Sequence, residues 1–174
     1  NGNKGIEVIF TWGEPLLRSD MIEILKYYHT LWFRCFVVTN GTQLSLVKYK
    51  KIEPYIFWIS VSLDGFATFH DEFRGWKSFD RIVKNLREII PTTKKEIFLK
   101  TVFSKQNIGD LERFYDFVVL LWIRKWHIIT LTDRWRWKNL DTFLDDDNLL
   151  KLSQFNQVWH SIEILYDDPL MAGN

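Results

Sequence analysis

Three short polar segments hold the residues of this chain best suited to chemistry: Thr11-Trp12-Gly13-Glu14-Pro15, Thr39-Asn40-Gly41 and Ser62-Leu63-Asp64-Gly65. Each joins a glycine, which lets a backbone approach a ligand closely, to side chains that can bind polar ligand atoms. Glu14 offers a carboxylate to a ligand amine, and Pro15 stiffens the turn and suits the start of a helix. Thr39 and Asn40 offer a hydroxyl and an amide. Ser60, Ser62 and Asp64 alternate, which predicts that all three lie on one face of a strand, where small polar groups would line a wet cavity. The plainer alternative for each segment is a turn, since Asn-Gly and Asp-Gly are general turn signals.

Other candidates are weaker. Arg134-Trp135-Arg136-Trp137-Lys138 interleaves cations with aromatics, the pattern of a single-strand nucleic-acid platform, but it is short and no wider basic field supports it. The plainer reading is a loop whose tryptophans pack on the rim of the fold. Asp145-Asp146-Asp147 lacks the further ligand spacing of a calcium loop and reads as the start of a helix. His29, His70, His127 and His160 show no metal spacing, so no metal ligands are assigned. Cys35, between Arg34 and Phe36, reads as a buried small hydrophobe.

Alternating elements must hold the three segments. Strands are expected over 6–10, 33–38, 55–63, 96–103, 127–132 and 161–166 from their β-branched and aromatic runs. Helical spacing appears from Leu17 to Leu31, over 44–52, after Ser78, after Asp110 and over 149–157, with Ser78 and Asp110 as candidate N-caps. Residues 133–147 read as polar and irregular. Strand–helix alternation predicts βαβ units and a parallel sheet wound into an open sheet or partial barrel. The three polar segments all follow strands, and ligands bind at the carboxyl ends of strands in such folds.

Composition narrows the classes. The 174 residues suffice for one domain, and no internal boundary is visible, so 1–174 is expected to be a single domain. A net charge of +1 gives no reason to expect nucleic acid or another polyanion as partner. No apolar run reaches the ~20 residues needed to span a bilayer. One cysteine excludes an internal disulfide and any multi-cysteine metal site supplied by this chain alone, and a reducing cytoplasmic location is expected. Nine tryptophans beside only eight glycines is unusual for a fold that uses glycine in its turns.

The order of the segments resembles the radical S-adenosylmethionine (radical SAM) enzymes. Phe10 to Arg18, with Gly13-Glu14-Pro15, looks like their "GGEP" segment. Val38 to Thr42 and Ile59 to Gly65 resemble the next strand ends, and His70-Asp71 through Phe73-Arg74-Gly75 resembles the stretch after them. Thr101 to Asn107 looks like a further strand end, and Ile162 to Leu170 is similar to the stretch leading into the auxiliary-cluster (SPASM) region of the peptide- and cofactor-maturing branch.

The resemblance implies a partial (β/α)6 TIM-like barrel with helices outside. It implies S-adenosylmethionine chelating a [4Fe–4S] cluster, an electron donor such as ferredoxin or flavodoxin, and reductive cleavage to a 5′-deoxyadenosyl radical. That radical would abstract hydrogen from a peptide or small-molecule cofactor precursor in an oxidoreductase of the maturase type. By the same resemblance Gly13, Glu14 and Pro15 would meet the ligand's amino group. Thr39, Asn40 and Ser62 would meet its carboxylate or ribose, Leu131 would lie near the adenine, and Asp64 would belong to the same site.

Two departures qualify it. The family's CxxxCxxC loop should precede the first strand, so the first βα unit is read as missing and both ends as truncated relative to the family. The alternative function is then a clusterless, inactive barrel that serves as a scaffold or binding module. The family pattern also leads us to expect glycine where Trp12 stands, and at Trp32, Trp122, Trp135, Trp137 and Trp159. A tryptophan there imposes strain wherever φ must be positive, and at position 12 would crowd the ligand.

Overall fold

A computed structural model describes residues 5–131, 143–158 and 160–166. Six strands form one sheet in sequence order, β1-β2-β3-β4-β5-β6: Glu7–Phe10, Arg34–Thr39, Trp58–Ser62, Glu96–Phe103, Lys125–Thr130 and Glu163–Tyr166. The strands run parallel, with β1 and β6 at the edges, as strand–helix alternation predicts. By internal contacts the chain divides into two compact units, 1–62 with 80–98, and 63–79 with 99–174.

In the first unit Val8 pairs with Cys35 and Val38 with Ser60 across the ladders. Helix α1 (Met21–Thr30) lies against β2, and α2 (Leu46–Ile52) follows it, capped by the Ser45 hydroxyl on the Lys48 N–H at 3.2 Å. Helix α4 (Phe79–Ile89) supplies Ile82, Leu86 and Ile89, which are buried at helical spacing, and Phe36, Val37, Ile59 and Val61 are buried on β2 and β3. β2 and β3 are buried on both faces over most of their length, as parallel strands are.

The second unit holds α3 (Ala67–Arg74), α5 (Leu111–Leu120) and α6 (Asp146–Gln157). Its core centres on Trp126, wholly buried among the rings of Phe103, Phe114, Tyr115 and Phe155.

Several expectations are corrected. β3 starts later than expected, because Pro54 opens a short 3-10 turn over Glu53–Tyr55. β5 starts earlier, because Trp126 alternates inward with Ile128. α3 was not expected; its short amphipathic run is closed by Gly75 at φ 77°. Ser78 does not cap α4: the Asp71 carboxylate accepts the Ser78 and Phe79 N–H groups, both at 2.9 Å, while the Ser78 hydroxyl turns to His70. Asp110 does not cap α5 either, its carboxylate being taken by Arg113 at 2.9 Å. Asp64 lies beyond the end of β3 and so does not continue the face of Ser60 and Ser62. Thr132, residues 133–142, Trp135, Trp137, Trp159 and the 167–170 tail lie outside the described residues.

Two helices end alike. At α1 the Trp32 N–H donates to the His29 carbonyl at 3.1 Å and the Phe33 N–H to Tyr28 at 3.2 Å. At α5 the Trp122 N–H donates to Val119 at 2.9 Å and the Ile123 N–H to Val118 at 3.4 Å. Both are Schellman closures, which put the residue after the cap in the left-handed region.

Candidate functional site

In the first unit the polar cluster forms around Glu14. Glu14 caps the 3-10 turn Pro15–Leu17, its Oε1 accepting from the Leu16 N–H at 3.0 Å. Oε1 also accepts from the Thr39 hydroxyl at 2.6 Å, and Oε2 accepts from the Asn40 N–H at 2.6 Å. The Thr39 oxygen in turn accepts the Gly41 N–H at 3.0 Å, and Asn40 Oδ1 takes the Thr42 N–H and hydroxyl. One carboxylate thus ties the end of β1 to the end of β2.

The glycines here differ in kind. Gly41 has φ 75°, and a Cβ there would sit 2.9 Å from Val61 Cγ1 and 3.1 Å from Ile82 Cγ1, so both conformation and space require it. Gly13 has φ 61°, but a Cβ would meet nothing within 4 Å; the turn faces open space. Trp12 before it is also left-handed, φ 73°, and its side chain is 84% exposed. On β3, Ser62 is half-buried, whereas Ser60 is buried and its hydroxyl has no hydrogen-bond partner.

The second unit gathers its polar residues around Asp64, which is fully buried. Its Oδ2 accepts from Arg74 Nε at 2.5 Å and its Oδ1 from the Val102 N–H at 3.0 Å. The Asp64 N–H donates to His70 Nδ1 at 3.1 Å. Since a backbone N–H can only donate, Nδ1 is the acceptor and Nε2 carries the proton, donated to the Ser78 hydroxyl at 3.0 Å. Burial pushes the His70 pKa below its usual value, against the opposing pull of Asp64, so the ring is held neutral. Asn107 completes the network. Its Nδ2 donates to the carbonyls of Asp64 and Val102 at 2.7 and 2.9 Å, and its Oδ1 accepts from the Ser104 N–H at 2.7 Å. Thr101 donates to the Leu63 carbonyl at 2.7 Å and accepts from Trp126 Nε1 at 2.8 Å. Leu131 is buried, with its N–H on the Phe103 carbonyl at 3.0 Å.

Glu14, Thr39 and Asn40 therefore come together, while the carboxylate of Asp64 is taken up inside its own unit. Sequence reasoning reached the segments 70–75 and 101–107 but not the part Arg74, His70 and Asn107 play in fixing Asp64. Only the spacing of complementary polar residues after two successive strands could have pointed to it.

The acidic run and the cysteine have structural places. Asp145 caps α6 through the Asn148 N–H at 3.0 Å and bonds the Asn148 side chain, which together with Lys105 holds its pKa down to about 2. The acidic run thus starts a helix. The Cys35 thiol is buried and its pKa is pushed up by burial. Among the described residues no group of three His, Cys, Asp or Glu could hold a metal ion, and no helix is long and apolar enough to cross a membrane.

Comparison with known proteins gives a consistent picture. The Radical SAM superfamily pattern matches residues 2–118. The chain is 32% identical over 111 residues to the Fe-coproporphyrin III synthase of Methanosarcina barkeri, covering 63% of this chain and 28% of that protein. It is 30% identical over 127 residues to the AdoMet-dependent heme synthase of Oleidesulfovibrio alaskensis, covering 71% of this chain and 32% of that protein. The chain thus spans about a third of the length of these relatives. Among solved structures, Streptococcus suis SuiB bound to its precursor peptide SuiA superposes with a TM-score of 0.77 at 17% identity, over 93% of this chain and 38% of SuiB. That likeness shows the fold: a partial TIM-like barrel of parallel strands with helices, its sheet not closed.

Proposed function

The chain belongs to the radical SAM superfamily, and from that premise we propose that it is the ligand-binding core of an oxidoreductase that reductively cleaves S-adenosylmethionine and abstracts hydrogen from a peptide or cofactor precursor. The observation that carries the reading is Glu14. Its carboxylate is fixed by three N–H or O–H donors directly after Gly13, which faces open space. A carboxylate has about four lone-pair positions, so three donors leave one for a ligand ammonium group.

Gly13, Glu14 and Pro15 are assigned to the amino end of S-adenosylmethionine. Thr39, Asn40 and Ser62 are assigned to its carboxylate or ribose. The buried carboxylate of Asp64 is already taken up within its own unit by Arg74 and the Val102 N–H. When bound, S-adenosylmethionine supplies the radical chemistry; the residues of this chain bind, orient and shield it. The described residues fit this ligand's polar end. They do not fit a [4Fe–4S] cluster, which needs several thiolates, and the single Cys35 is buried within β2.

A peptide substrate is supported by SuiB, solved with a precursor peptide, and a porphyrin-type cofactor precursor by the two heme-pathway relatives. We place the chain in the maturase branch with a SPASM region, in the cytoplasm, and served by a ferredoxin- or flavodoxin-type electron donor. The second reading is a barrel that binds its ligand without cleaving it.

Calorimetric titration of S-adenosylmethionine into this chain, beside Glu14→Gln, tests the binding reading. Saturable binding weakened at least tenfold by the variant supports it, and equal affinity in the two proteins rejects the role of Glu14. Absence of 5′-deoxyadenosine when the complete protein is reconstituted with iron and sulfide under a strong reductant leaves the scaffold reading in its place.

A further inference from the structure

Three tryptophans stand where the backbone asks for glycine. Trp12, Trp32 and Trp122 have φ of 73°, 64° and 62°, and they are all the non-glycine residues with positive φ among those described. Every other left-handed position is a glycine: Gly13, Gly41, Gly65 and Gly75. A Cβ crowds the following carbonyl in this region. Asn and Asp are its usual non-glycine visitors, and a bulky aromatic is an outlier.

Two of the three occupy the same place in the same motif. Trp32 and Trp122 follow the caps of α1 and α5 in the Schellman closures described above, the position most often filled by glycine. Nor do the indoles contribute what an indole can. They are 84%, 88% and 81% exposed at positions 12, 32 and 122, and an exposed ring buries little apolar area. Trp126 is the contrast: extended backbone, wholly buried, its Nε1 bonded to Thr101. The glycine shortage of the chain, eight against nine tryptophans, fits glycine at these positions.

We propose that the polypeptide made by the natural host carries glycine at 12, 32 and 122, because one triplet that reads as tryptophan in a more familiar code is decoded there as glycine. The opal triplet UGA has the required chemistry of decoding: it differs by one base from the tryptophan codon UGG and by one base from the glycine codon GGA. The inference rests on backbone geometry and is independent of the proposed function. Its consequence at position 12 is a second glycine ahead of Gly13, which removes an indole from the turn that presents Glu14 and leaves only backbone to face a ligand.

The test uses the natural gene and its natural product. The expected result is TGA at triplets 12, 32 and 122 of the genomic DNA and TGG at the triplet for Trp126. Tandem mass spectrometry of the protein purified from its own host is expected to give glycine at the three positions and tryptophan at 126. A TGG triplet at any of the three positions, or tryptophan there in the native peptide, overturns the inference for that position. The same triplet at 126 as at the other three overturns the distinction drawn from burial.

Discussion

The Thr39 hydroxyl donates to Glu14 Oε1 at 2.6 Å, joining residues at the ends of neighbouring strands that are 25 positions apart in sequence. Thr39 is buried, Glu14 is half-buried, and the same carboxylate takes two backbone N–H groups. Glu14 is therefore a structural tie as well as the candidate ligand group. Hydrogen bonds to a charged partner contribute about 1.5–3 kcal/mol each, less what water recovers. Glu14→Gln is expected to destabilise the fold by about 1–3 kcal/mol, seen as a lower urea midpoint at unchanged slope. A midpoint within error of the parent would mean that the tie carries no stability.

Glycine at the left-handed positions should stabilise the chain. The left-handed conformation costs an ordinary residue about 1–2 kcal/mol, while glycine's extra freedom in the unfolded chain takes back about 0.5–1 kcal/mol. Trp32→Gly and Trp122→Gly should each raise Tm by roughly 1–4 °C. A fall in Tm for both would show that the exposed indoles do more than the geometry allows.

Gly41→Ala should act in the opposite direction. The added methyl meets Val61 at 2.9 Å and Ile82 at 3.1 Å, and φ is 75°. Overpacking and left-handed strain together are expected to cost about 2–4 kcal/mol by chemical denaturation. Gly13→Ala meets no atom and should lose only the conformational part, about 1–2 kcal/mol.

Trp126→Phe removes the Nε1–H bond to Thr101 and leaves a void in a wholly buried place. Thr101 keeps its bond to Leu63, so no polar group is orphaned. A loss of about 1–3 kcal/mol is expected, read from the denaturation midpoint.

His70 gives the second unit a pH dependence. Its folded-state pKa lies below the unfolded value of about 6.5, because burial disfavours the charged ring. The unfolded chain therefore binds the proton first, and stability falls as pH drops from about 6.5 toward the folded-state pKa. Asp64, Arg74 and Asp71 are the charged groups around it. Partial burial works upward on Asp71, but the Ser78 and Phe79 N–H groups together with His70 and Lys77 outweigh it and hold the carboxyl below its usual range, so its own contribution is lost only at lower pH. Urea midpoints of the parent should decline below pH 6.5, and those of His70→Asn should decline less over the same interval. Parallel curves would exclude His70 as the cause.

Much of this protein was written in local sequence. The alternation of β-branched runs with helical spacing determined a parallel α/β sheet, because strands buried on both faces must be apolar throughout and their crossovers must be helices. Gly13-Glu14-Pro15 and Thr39-Asn40-Gly41 marked two strand ends for the same reason, since turn glycines and polar groups collect where a strand leaves the core. Tryptophan at positions 12, 32 and 122 could be questioned from the family resemblance. Only the folded chain, however, assigned the left-handed φ at those positions, because it is set by hydrogen bonds to the preceding turn or by the path of the next element. The tertiary structure also decided that Asp71 caps α4 in place of Ser78, and that Arg74 and Asn107 fix Asp64 across gaps of 10 and 43 residues. Such pairings depend on which distant groups the packing brings within 3 Å, and no local period or propensity encodes that distance.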